Sequence, residues 1–228
     1  MQIRSTRIVV IAGIALIFLG ATYLFGWSDI FVVKEVSITG APTAQSTKAI
    51  TDSLSIKPGI KMARVETRSL SRRLESFTWI ESVNISRNWL NRKVSIEISP
   101  RTPIALFNPA TSPETSIDAD GNVFRLPGGT SNSLPKVEAN SAKSGVEAIA
   151  LFTALPQTFR SNISLMSVRS TGAFSISYRY KSRPIAISWG DGGNAALKVD
   201  VVEALLALPE NAKVRSIDVS APHAPIVR

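Results

Sequence analysis

The stretch TWIESVNISRNWLNRKVSIEIS, residues 78–99, decides the architecture of the first half of the chain. Val94, Ile96 and Ile98 alternate with Ser95, Glu97 and Ser99, and Val83 and Ile85 stand two apart among Glu81, Asn84 and Arg87. A period of two places every second side chain on one face of a strand, so both runs read as half-buried strands. Asn88-Trp89-Leu90-Asn91 between them reads as the turn of an antiparallel hairpin.

A lone hairpin cannot bury one apolar face, and the residues upstream supply its partners. Val32, Val36 and Ile38 share one face of a third strand that stops at Gly40, with a turn at Ala41-Pro42. Ile50 and Leu54, four apart, mark a short helix that ends before Lys57-Pro58-Gly59. Leu70, Leu74 and Phe77 mark a second, with Arg68, Arg72, Arg73 and Glu75 on its solvated side. The order strand, helix, helix, strand, strand predicts a small α+β domain with two helices on one sheet face.

Downstream, residues 102–220 read as a second domain, mainly antiparallel β with two helices. Ile104–Phe107 opens it, and Asp118-Ala119-Asp120-Gly121 between Thr115–Ile117 and Val123–Arg125 reads as a hairpin turn, since the later acids of a calcium loop are missing. Ser144-Gly145-Val146-Glu147 has the capping-box pattern and predicts a helix that carries Ile149 and Phe152 to Pro156. Strands follow at Ile163–Leu165, Phe174–Tyr180 and Ile185–Trp189. Trp189-Gly190-Asp191-Gly192-Gly193-Asn194 lacks the Gly-Lys-Ser/Thr of a phosphate loop and reads as a strand-to-helix turn. The next helix places Leu197, Val201, Leu205 and Leu208 on one face, with Lys198, Asp200 and Glu203 elsewhere. Val214–Val219 is the last expected strand, and residues 221–228 a tail.

From Ile8 to Trp27 run twenty residues without a charge. As a helix they would be about 30 Å long, the thickness of a bilayer's hydrocarbon core. The run exceeds the apolar core of a cleaved signal peptide and ends in aromatics, so a retained anchor is expected. Arg4 and Arg7 precede it and Asp29 follows, which puts residues 1–7 in the cytoplasm and residues 28–228 outside the cell membrane. Removing these two arginines from a net charge of +9 leaves +7 on the exported part. That basic balance suits anionic lipid headgroups or acidic wall polymers, and equally a soluble domain with scattered basic residues. Nucleic acid is not expected as a partner, because the basic residues interleave with apolar ones and the location is external.

The chain has no cysteine and one histidine, His223. Thiol chemistry, disulfides and multi-histidine metal sites are thereby excluded. Glu66, Glu97, Asp118 and Asp120 occupy amphipathic or turn contexts, and His223 lies in Ala-Pro-His-Ala-Pro, so no catalytic constellation forms. The expectation is a non-enzymatic scaffold without cofactor or metal.

The run Phe31–Gly40, the Pro58-Gly59 turn, Thr78–Trp89 and the strand from Val94 to Pro103 together resemble the POTRA domain of the bacterial cell-division family FtsQ/DivIB. Thr78 and Leu90 stand where that family often carries proline, and Ser99-Pro100-Arg101 where Glu-Arg is common. The resemblance extends over nearly the whole chain: residues 1–7 as cytoplasmic N-terminus, 8–27 as transmembrane signal anchor, 28–101 as POTRA domain, 102–220 as β domain and 221–228 as tail. It implies a bitopic membrane scaffold of the septum that binds FtsB/DivIC-like and FtsL-like proteins and links them to septal peptidoglycan synthesis. It also implies that the contact falls on the last strand and the segment after it: Val214, Arg215, Ser216, Ile217, Asp218, Val219, Ser220, Pro222, Pro225 and Ile226. The physical route would be addition of a partner strand to an exposed sheet edge. Ile217 and Val219 are expected to close the core, leaving Arg215, Ser216 and Asp218 as the open candidates. The alternative is a membrane-anchored protein that binds anionic wall polymers. A POTRA-bearing barrel protein is excluded by length, since only about 125 residues follow the first domain.

Overall fold

Two units, residues 1–100 and 101–228, each organise around their own sheet. A computed structural model describes residues 11–20, 22–23, 31–108, 114–169 and 171–228. Residues 11–20 and 22–23 are helical, and the Thr22 hydroxyl donates to the Phe18 carbonyl at 2.7 Å. Among the described residues no helix is long and apolar enough to cross a membrane. The expected N-terminus 1–7, and residues 8–10, 21 and 24–27 of the expected span, lie outside the described residues.

The first unit runs β1 (Glu35–Thr39), α1 (Ala44–Leu54), α2 (Thr67–Glu75), β2 (Ile80–Asn88) and β3 (Lys93–Pro100). The sheet order is β1-β3-β2, with β1 parallel to β3 and β2 antiparallel to it. Val94, Ile96 and Ile98 point into a core shared with Ile50 and Leu54 of α1 and with Leu70 and Leu74 of α2. Each such buried aliphatic side chain contributes roughly 1.5–3 kcal/mol. Thr43 caps α1, its hydroxyl accepting from Ser46 N–H at 2.9 Å. At Gly40 the backbone turns left-handed (φ +83°), and a Cβ there would lie 1.9 Å from the Ile98 carbonyl oxygen, so only glycine lets β1 end against β3. Phe77, expected on α2, lies just past its end, its N–H bonded to the Leu74 carbonyl.

The second unit has strands β4 (Ala105–Phe107), β5 (Thr115–Ile117), β6 (Val123–Phe124), β7 (Lys136–Ala139), β8 (Ile163–Val168), β9 (Phe174–Tyr180), β10 (Arg183–Gly190), β11 (Ser216–Asp218) and β12 (Ile226–Val227). They form one nine-stranded sheet in the order β12-β11-β10-β9-β8-β7-β4-β5-β6. Pairs β4–β7, β7–β8 and β10–β11 are parallel and the others antiparallel. Helices α3 (Ala142–Ala154), α4 (Gln157–Arg160) and α5 (Ala195–Ala207) supply the rest of the core. One cluster joins Leu151 and Phe159 to Ile176, Ile187, Trp189, Val202 and Ile217, and a second joins Ala148 and Ile149 to Phe107, Ile117 and Val137.

The second unit has three α-helices where two were expected, because α4 starts directly after Pro156, which sits at its N-cap, and two further local expectations change. The cap of helix α3 lies three residues before the Ser144 box: it is Ser141, which accepts from Ser144 N–H at 3.2 Å. Helix α5 buries Lys198, Val199, Val202 and Leu206, while Leu208 is exposed. Lys198 faces inward because its ammonium has partners there: Nζ donates at 3.0 Å to the carbonyls of Trp189 and Asp191 and to Asp191 Oδ1. A buried ammonium is tolerated when all three of its protons are so used. The glycine-rich segment is therefore a strand-to-helix turn closed by a lysine from the helix it starts.

Candidate functional site

The last strand and the segment after it form a hairpin. β11 lies inside the sheet: Ile217 pairs with Ile187 of β10 on one side and with Val227 of β12 on the other. The expected edge strand is thus covered by the chain's own C-terminal residues, and the free edge moves outward to Ile226–Val227. Residues 221–228, expected as a tail, are a turn and a strand. Ala224 N–H reaches the Ala221 carbonyl at 3.0 Å, closing a four-residue turn with Pro222 second, where its fixed φ suits a tight turn.

The register identifies which backbone groups face outward. Arg228 N–H donates to the Ser216 carbonyl at 2.9 Å, and Ser216 N–H donates to the Arg228 carbonyl at 3.0 Å. Hydrogen-bonded and non-bonded pairs alternate along an antiparallel ladder, so Val227 opposite Ile217 is a non-bonded pair. Val227 therefore turns its N–H and C=O away from β11. Pro225 has no N–H to offer, so the outward donor of this short edge is Val227. Ile226 and Val227 are 51 % and 36 % exposed, an apolar pair on an open edge.

The other expected site residues divide clearly. Ile217 and Val219 are buried in the core, as their alternation suggested. Val214 and Ser216 are half-buried, and the Arg215 and Ser220 side chains are exposed. Asp218 is committed locally, because Ser220 donates to its Oδ1 through the hydroxyl at 2.7 Å and the backbone N–H at 2.9 Å. Those two bonds, with the attraction of Arg228 and Arg169, outweigh burial and hold its carboxyl below the usual range. Gly190 allows Ser220 to approach: its φ is +77°, and a Cβ there would lie 2.8 Å from Ser220 Cβ. Val227 and Arg228 were absent from the expected set. Their signal was the apolar pair Ile226-Val227 after Pro225, too short to register as a strand.

Beside β11, Arg183, Pro184, Ala212, Lys213, Val214 and Arg215 line a groove of about 580 Å³. The Arg183 guanidinium donates to the Ala212 carbonyl, which ties the start of β10 to the segment that leads into β11.

The acid most suggestive of a ligand is also spent on structure. Asp118 Oδ1 accepts from the N–H groups of Asp120 and Asn122, and Oδ2 from the Asn122 amide at 2.9 Å and Arg101 Nη1 at 3.0 Å. Burial pushes its carboxyl up, but Asn122 and Arg101 more than offset this and hold it below the ordinary value. The Asp118–Gly121 segment is the turn of the β5–β6 hairpin. Among the described residues no three His, Asp or Glu side chains gather where they could hold a metal ion.

Comparison with known proteins agrees with this architecture. Residues 31–101 match the POTRA domain of FtsQ type, and residues 112–220 match the C-terminal domain of cell division protein FtsQ/DivIB. The chain is 25 % identical over 210 residues to the cell division protein FtsQ of Streptomyces griseus, covering 86 % of this chain and 96 % of that one. It is 23 % identical over 238 aligned positions to the FtsQ of Streptomyces venezuelae, covering 98 % and 84 %. The two domains, in this order and over most of the length, place the chain in the FtsQ/DivIB family of cell-division proteins.

Proposed function

We propose that this chain is a bitopic scaffold of the division septum that recruits other single-span division proteins through the open β12 edge. Residues 8–27 are the membrane anchor, and residues 28–228 lie outside the membrane. The reading is carried by one observation: Val227 presents an outward N–H and C=O beside exposed Ile226 at the end of a nine-stranded sheet. An extended segment of an FtsB/DivIC-like or FtsL-like partner would continue the sheet there, with main-chain bonds for affinity and alternate side chains for selectivity. The protein acts by holding these partners and the peptidoglycan synthesis machinery together, without chemistry of its own.

Deleting residues 214–228 would also remove Ile217 and Val219 from the core, so it cannot separate binding from folding. Val227→Pro can, because it removes the outward N–H and leaves the bonds at Ile226 and Arg228 in place; edge strands tolerate such a proline. With the full chain in detergent and the external domain of an FtsB/DivIC-like protein, the expected loss is about tenfold in affinity, equivalent to about 1.4 kcal/mol. Unchanged affinity with unchanged unfolding refutes the edge.

The groove flanked by Arg183, Lys213 and Arg215 favours a second reading, binding of an anionic wall polymer. Salt-sensitive sedimentation with purified cell wall, lost on Lys213→Glu together with Arg215→Glu, would support it; no sedimentation at low salt refutes it.

A further inference from the structure

The tip of the β2–β3 hairpin carries a side chain that the fold does not use. Leu90 is 92 % exposed, while Val94 and Ile96 on the same hairpin are fully buried. The turn does not need it, since Asn91 N–H donates to Asn88 Oδ1 at 3.0 Å and Arg92 takes the left-handed conformation, φ 55°. Trp89 beside it is half-buried, with the Phe31 ring edge-on at 5.9 Å between centroids and the Arg87 guanidinium 5.5 Å from its ring centre.

The chain that arrives from the apolar run passes this same tip. Lys34 N–H donates to the Arg92 carbonyl at 2.8 Å, Val33 N–H to the Ile60 carbonyl at 2.7 Å, and Val32 bridges to Lys61. Phe31 follows Trp27, the end of the run, by four residues, a reach of at most about 14 Å even when fully extended. If residues 8–27 span a bilayer, Phe31 is tethered within that distance of the span's outer end, with the tip one ring contact beyond it, and the headgroup layer itself is several ångströms deep. Lys34, Arg92 and Lys93 lie at this end of the sheet and Lys61 beside the incoming chain, while Arg87 stacks on Trp89 and donates to the Met62 and Val65 carbonyls; Glu35 pairs with Lys93 at 2.7 Å.

We propose that the β2–β3 tip docks into the headgroup region of an anionic lipid surface, with Leu90 inserted and Trp89 at the interface. The docking gives the first unit a second attachment to the membrane, and it rests on the reading of residues 8–27 as an anchor. Three observations select lipid over a protein partner: the short tether, the cations beside the tip, and a single exposed aliphatic side chain at its end. An aromatic and a leucine flanked by Lys and Arg is the composition that an interface between hydrocarbon and anionic headgroups accepts.

The absence of cysteine allows one probe to be placed at a time. Leu90→Cys, Ser99→Cys and Ile17→Cys, each carrying an environment-sensitive fluorophore, would be reconstituted as full chains into vesicles of phosphatidylcholine with phosphatidylglycerol. Quenching by spin-labelled lipids then reports depth. The expected result is deep quenching at Ile17, and shallow quenching at Leu90 that exceeds that at Ser99 by about threefold and weakens at high salt or without phosphatidylglycerol. Quenching at Ile17 with Leu90 no different from Ser99 overturns the docking and leaves the anchor standing. An unquenched Ile17 removes the anchor, and the docking with it. As a second variant, Leu90→Asp with the probe at Asn91→Cys should lose the shallow quenching without loss of fold, because Leu90 is exposed; retained quenching overturns the role of Leu90.

Discussion

Replacing Lys198 by methionine tests whether the turn between β10 and α5 is held by its carbonyl bonds or by its ion pair. Lys198 is 1 % exposed, and its three contacts at 3.0 Å divide into two carbonyls and one carboxylate oxygen. Methionine keeps the length and apolar stem and removes the ammonium. The Asp191 carboxylate is 85 % exposed, so water replaces the lost charge there. The Trp189 carbonyl receives no such help, and a buried acceptor left without a donor costs about 1–3 kcal/mol. The Asp191 carbonyl adds a smaller loss, while the variant recovers the cost of desolvating an ammonium. The net expectation is a destabilisation of about 2 kcal/mol in the second unit, or a fall of about 6–10 °C in its melting transition.

Thermal unfolding of the full chain in detergent, followed by calorimetry so that the two units are read separately, measures this. Asp191→Asn should lower the same transition far less, because Lys198 keeps both carbonyls. A Lys198→Met protein that melts within about 1 °C of the parent refutes the reasoning. So does an Asp191→Asn protein that loses as much as Lys198→Met, since the ion pair would then be the important contact.

Gly40→Ala should destabilise the first unit by about 3 kcal/mol or more, since strain at φ +83° is joined by a 1.9 Å collision with Ile98. Gly59→Ala, at φ +95° with open space around it, should cost only about 1 kcal/mol; equal losses in urea titration would refute the close-approach argument. Because the folded Asp118 carboxyl lies below its ordinary 3.8, its contribution is complete above that value and is lost as pH falls from there through the lower folded value. Asp118→Asn should remove that component of the acid unfolding curve, and an unchanged curve would show that the Arg101 and Asn122 contacts do not operate in solution. Ile217→Ala should cost about 2–4 kcal/mol and Ile226→Ala less than about 1 kcal/mol, as read by unfolding, since only the first is in the core; the reverse order would refute the placement of β11 inside the sheet.

How much of this was legible in the sequence depended on the length of each signal. The β2–β3 hairpin announced itself through Val94, Ile96 and Ile98, because half-burial writes an alternating pattern. The strand β7, Lys136–Ala139, left no such trace. It is four residues long and carries only Val137 and Ala139 on its buried face. The face of α5 was misread at Lys198 because hydrophobicity takes a lysine for a solvated residue. Its inward position follows from three acceptors that the tertiary fold brings together at the preceding turn. At the candidate edge, Ile217 and Val219 were legible as core, but β12 was not. A two-residue strand has no period, and its pairing with β11 becomes visible only once Arg228 and Ser216 exchange hydrogen bonds.

The strand order of the large sheet has a metric consequence. The second unit begins at Arg101, directly before β4, while β12 lies six neighbours away across the same sheet. With about 4.8 Å between hydrogen-bonded strands, that places the open edge roughly 29 Å across the sheet from the strand that begins the unit. The sheet thus works as a spacer of fixed width, and its twist fixes the direction in which an added strand would run. Lengthening a loop would not alter that offset, whereas losing one internal strand would shorten it by a full spacing and rotate whatever was attached.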